Sequence, residues 1–116
     1  MVDYEKIIKE LNKNKEKPIS LFFVAQMDEL VDTWTIIFAA DWVTDKNIHS
    51  TYAKISKLID KNGSKSDIDK VSRIWIFNSN HYLVKELLKL SDKSELNEIK
   101  INGNTIHRGT IIYPKK

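Results

Sequence analysis

Two short runs of large apolar residues, Trp34–Ala40 and residues 71 to 77, flank a stretch of helical periodicity, and this arrangement limits the fold more than any other feature. In the first run Trp34, Ile36, Phe38 and Ala40 share one side of an extended chain and Thr35, Ile37 and Ala39 the other, so both faces are suited to burial. That pattern predicts an interior strand. In the second run Val71, Trp75 and Phe77 oppose Ile74 and Ile76 in the same way. Between them, Ile48, Tyr52, Ile55 and Ile59 form an apolar helical stripe, with Thr44 or Asp45 available as the cap and Asn62-Gly63 as the stop. A strand, a helical crossover and a second strand normally give a parallel pair.

The remaining segments attach to this unit. Residues 3 to 13 read as an amphipathic helix, with Val2, Ile7, Ile8 and Leu11 on one face. Residues 18 to 31 fit a helix beginning at Pro18, with Ile19, Phe22, Phe23, Met27 and Leu30 on one side, and a buried strand over 21 to 27 is the competing reading. Residues 64 to 70 read as a polar loop. Ser79 or Asn80 is placed to cap a further helix that buries Leu83, Val84, Leu87, Leu88 and Leu90. Asn102-Gly103 between apolar residues signals a tight hairpin joining strands at 97 to 101 and 104 to 113, with Gly109 as a bulge. The expected fold is one α/β domain over residues 1 to 116. It has a mixed sheet of about four strands, made of the parallel unit and a C-terminal hairpin, with helices on both faces.

Several chemistries are excluded by what the chain lacks. Without cysteine there is no disulfide, thiolate metal site or thiol nucleophile. With three glycines, at 63, 103 and 109, it has no phosphate-binding glycine loop. The longest apolar runs are far shorter than the ~20 residues needed to span a bilayer, and the N-terminus is charged, so the expectation is a cytoplasmic protein without a membrane partner. The net charge of +3 comes from Lys, with Arg73 and Arg108 the two arginines, which disfavours sequence-specific nucleic-acid reading.

Ligands of open α/β sheets sit beyond the carboxyl ends of parallel strands. Here that edge carries Asp41, Trp42 and Thr44 after the first strand and Asn78, Ser79, Asn80 and His81 after the second, and these seven are the expected ligand-binding residues. His81, at a helix start, is the most interesting ionisable group, although a surface role is the simpler account. Trp34 and Trp75 read as core and Trp42 as a partner anchor. The last strand reads as an edge available for pairing between chains, although His107 and Arg108 would blunt it.

These features point to a non-catalytic binding or protein-interaction module without a cofactor, able to self-associate, with a small-molecule ligand as a further option. One alternative is a metal-dependent phosphoesterase or nuclease holding Mg²⁺ through Asp28, Asp32 and Asp41, against which stands a plain acidic turn. Another is weak nucleic-acid binding through Lys54, Lys57, Lys61 and Lys65, for which a solvated helix face is an equal explanation.

Overall fold

A computed structural model describes residues 2–26, 33–90, 95–101 and 104–114. The elements in chain order are α1 (Tyr4–Asn12), β1 (Leu21–Gln26), β2 (Trp34–Ala40), α2 (Ile48–Asn62), α3 (Lys65–Asp69), β3 (Val71–Asn78), α4 (Tyr82–Lys89), β4 (Glu95–Ile101) and β5 (Asn104–Tyr113). They form one five-stranded sheet in the order β3-β2-β1-β5-β4, in which β2 and β3 are parallel and the other neighbours antiparallel. The mixed sheet, its parallel pair, the C-terminal hairpin strands and the helices on both faces are as the sequence predicts.

The fifth strand is β1. Leu21, Phe22, Phe23, Val24 and Ala25 are buried in an unbroken row, which no surface helix allows. Leu21, Phe23 and Ala25 face the core under α4 with Leu83, Val84 and Leu87, whereas Phe22 and Val24 face the core under α1 and α2 with Ile7, Ile8, Ile55 and Ile59. The helical reading of residues 18 to 31 is thus corrected over Leu21–Gln26, because a central strand covered on both sides has lost the alternation that would reveal it.

Smaller corrections have local causes. The predicted polar loop after α2 contains α3, started by a capping box in which Ser64 Oγ accepts from Asp67 N and the Asp67 side chain accepts from Ser64 N. Tyr52, expected in the buried stripe of α2, is 48% exposed, and Thr51 takes the inward position with Ile55 and Ile59. Thr51 tolerates burial because its hydroxyl donates to Asn47 O at 2.8 Å.

The pairing of β5 with β1 runs evenly through Gly109, opposite Ala25, and shifts instead between Phe22↔Tyr113 and Phe23↔Ile111, leaving Ile112 as the extra residue. Gly109 has a different role. A Cβ there would collide with the Phe23 ring, so the missing side chain makes room for that ring against the sheet. The Asn102-Gly103 turn lies outside the described residues; the pair Ile101↔Asn104 closes the hairpin beside it.

β5 is not an edge, because β4 covers its outer side; the two outer strands are β3 and β4. No helix among the described residues is long and apolar enough to cross a membrane.

Candidate functional site

The parallel register Ala39↔Phe77 and Ala40↔Asn78 brings the carboxyl ends of β2 and β3 side by side, so the two groups of sequence-predicted site residues do meet. Asn78 is their centre. Its Nδ2 donates to Asp41 O (3.0 Å) and Val43 O (2.9 Å), and its Oδ1 accepts from Asn80 N (2.9 Å). Trp42 is half-buried against Phe38, with Nε1 donating to Pro18 O at 2.9 Å and the Lys17 ammonium 5.2 Å from the ring centre. Ser79 shares a 2.7 Å hydrogen bond with Ser20. Thr44 N donates to Asn47 Oδ1, and Asn47 Nδ2 returns to Trp42 O.

Two caps differ from expectation. Asn47, not Thr44 or Asp45, occupies the N-cap position of α2, and its side chain ties the preceding loop together instead of capping. His81, not Ser79 or Asn80, caps α4: its Nδ1 accepts from Leu83 N at 3.1 Å, so the ring proton belongs on Nε2. Its ring stacks on Phe77 at 4.1 Å. Asn78 and Ser79 have partners in the loops, and His81, two residues before Leu83, is the side chain that reaches Leu83 N. At this end the polar groups therefore hold the loops after β2 and β3 in place.

At the opposite, amino-terminal end of β2 the described residues leave a space. A cleft of about 390 Å³ there is lined by Val2 and Tyr4 before and at the start of α1, Val24 of β1, Trp34 of β2, Asp67 and Lys70 from α3 and its end, and Thr110 and Ile112 of β5. Its size is within the ordinary range of small-molecule sites, and its lining combines two aromatic rings and an aliphatic surface with a few polar groups. Burial, and secondarily the Asp67 carboxylate, pushes the Tyr4 phenol up to about 12, so it stays a neutral hydrogen-bond donor. Local bonds position the walls: Asp3 Oδ1 accepts from Lys6 N to start α1, Asp3 N donates to Asn62 O, and Trp34 N donates to Lys70 O at 2.7 Å.

Sequence reasoning missed this cleft because its residues come from five separate parts of the chain. The available signals were the Ser64–Asp67 capping spacing and Tyr4 beside the apolar stripe of α1. Trp34, read as core, is a half-buried cleft wall, and Trp75, also read as core, is half-buried on an outer strand.

The metal alternative rests on Asp28 and Asp32, which lie outside the described residues; Asp41 is exposed at the end of β2. Among the described residues no group of three or more His, Asp or Glu side chains is arranged to hold a metal ion. His49 is on α2, His81 caps α4 and His107 is on β5. Lys54, Lys57 and Lys61 border a shallow groove of about 430 Å³ along α2 with Ser50, Ala53 and Leu58, while Lys65 belongs to α3 and does not continue that stripe. Comparison with known proteins finds no matching family model, no matching curated protein and no matching solved structure.

Proposed function

We propose that this chain is a non-catalytic, cytoplasmic binding module whose ligand is a small, largely apolar molecule held in the cleft between Tyr4 and Trp34. The observation that carries this reading is the combination of a ligand-sized space with two aromatic walls, an aliphatic surface from Val24 and Ile112, and polar groups from Tyr4, Lys70 and Thr110, beside the Asp67 carboxylate that closes the capping box of α3. Apolar contact supplies the affinity and the polar groups set the orientation. The carboxyl end of β2 and β3 is the weaker ligand surface, since the Asn78 amide, the Trp42 indole N–H and His81 Nδ1 already serve the protein's own backbone.

Benzylamine, benzoate and benzyl alcohol test the site as cationic, anionic and neutral aromatic probes of similar size. A binding cleft predicts that at least one raises the melting temperature with concentration and changes tryptophan emission, because a ligand of the native state stabilises it by mass action. The same titration on Val24→Phe, which fills the space, should show neither response. If all three probes leave wild type unchanged at millimolar concentration, or act equally on the filled variant, the assignment to this cleft fails.

A further inference from the structure

Strand β3 is at odds with its place in the sheet. It spans eight residues and pairs on one side with β2, while no strand among the described residues pairs with its other side. Such an edge presents unpaired N–H and C=O groups, and proteins usually protect it with charges, proline or a bulge. Between Val71 and Asn78 there is one charge, Arg73, and no proline, and four large apolar residues run consecutively from Ile74 to Phe77. Ile74 and Ile76 join the core on the α2 side, Trp75 and Phe77 the core on the α4 side, and all but Ile76 remain partly exposed. The sequence of an interior strand stands at an open edge.

The strand is also complementary to itself. A two-fold axis normal to the sheet pairs two copies antiparallel and sets residues of equal parity opposite each other, on the same face. Centred on Trp75, it places Arg73 against the partner's Phe77, Ile74 against the partner's Ile76, and Ser72 against the partner's Asn78. Ile74 and Ile76 thus meet across the axis, Trp75 meets its own copy, the polar ends Ser72 and Asn78 meet, and Arg73 faces an aromatic ring. Charge favours the same centre. Each copy carries +3, and centring on Arg73 would bring two guanidinium groups together, whereas centring on Trp75 sets each one beside an aromatic ring. Arg73 is already on the required face, 5.5 Å from the Trp75 ring centre, and Trp75 meets Phe77 edge-on at 6.2 Å. On the other face a hollow of about 100 Å³, lined in part by Tyr52, Ile68 and Ile74, lies beside the path of the added strand.

We infer that two copies of this chain join β3 to β3 about this axis, forming one sheet continuous through both. The inference is independent of the cleft. Sedimentation of the full chain from micromolar to millimolar concentration should show 13.5 kDa monomers giving way to dimers, with amide exchange in β3 slowing over the same range. Arg73→Glu, on an exposed side chain, should weaken the dimer roughly tenfold by removing two cation–ring contacts. Trp75→Lys should abolish it, with circular dichroism confirming that the variant folds. A monomer at every concentration would overturn the inference. So would a dimer whose β3 amides exchange as fast as the monomer's, or one that Arg73→Glu leaves unchanged.

Discussion

The two ends of the β2–β3 pair differ both in the residues that build them and in how those residues are used. At the carboxyl end Asn78, Trp42, Asn47 and Ser79 spend their hydrogen-bonding groups on nearby backbone and on Ser20, so the loops after both strands are closed. At the amino end Tyr4, Trp34 and Thr110 border a space large enough for a ligand. The residue types of a polar cluster at the conventional crevice therefore do not by themselves separate a binding role from a structural one. What matters is whether its donors and acceptors are already satisfied by the fold, because a group with a good internal partner gains little from a ligand.

The sharpest way to break this contrast is Asn78→Leu. One side chain here makes three hydrogen bonds, and the two carbonyls it serves belong to the turn that follows β2. At about 0.5 to 1.5 kcal/mol each, their loss should destabilise the domain by about 2 to 4 kcal/mol in urea unfolding. The response of the cleft to aromatic probes should persist at temperatures where the variant is folded. A loss below about 1 kcal/mol would mean that the carboxyl end is not held by this side chain.

At the amino end the expected effect is smaller and depends on pH. Tyr4 titrates near 10 when unfolded and about 12 in the fold, so the fold prefers the protonated phenol. That stability is fully present below pH 10 and is lost as pH rises through 12. Two pKa units correspond to about 2.7 kcal/mol, and solvent access to the partly exposed ring reduces this to roughly half. Denaturation of wild type between pH 8 and 11.5 should decline more steeply than that of Tyr4→Phe. Parallel curves would show that the phenol ionises as freely in the cleft as in water.

The contrast also explains what could be read in advance. The β2–α2–β3 unit was legible because each strand places large apolar groups on both faces, and α1 and α4 because one apolar stripe recurs among Lys and Glu. β1 was ambiguous because burial on both sides erases periodicity over a run as short as 21 to 25. Strand order is absent from such patterns, so neither the outer position of β3 nor the inner position of β5 could be derived. The convergence of Asp41 and Trp42 with Asn78 to His81 followed from the parallel pairing, but the use of Asn78 as a loop clamp did not. That role depends on carbonyls 35 and 37 residues away. The cleft was hidden for the same reason, since Tyr4 and Thr110 become neighbours only through the sheet.

Trp42→Phe offers a finer test of closure at the carboxyl end. Phenylalanine retains an aromatic ring to pack near Phe38, 6.0 Å away between ring centres, but cannot donate to Pro18 O. The expected loss is about 1 kcal/mol, the worth of a single hydrogen bond. A neutral result would assign the role of Trp42 to ring packing alone.

The smallest effect separates the two contributions of His81. Its Nδ1 caps α4 through Leu83 N, while its ring covers Phe77. Asparagine can replace the cap acceptor but not the stacked ring, and alanine replaces neither. His81→Ala should therefore cost about 1 kcal/mol, and His81→Asn about half of that or less. If asparagine restores stability fully, the histidine acts here as a cap and its stacking adds nothing measurable. If both variants lose the same amount, the ring contact with Phe77 is the larger contribution, and the end of β3 is held by aromatic packing rather than by its helix cap.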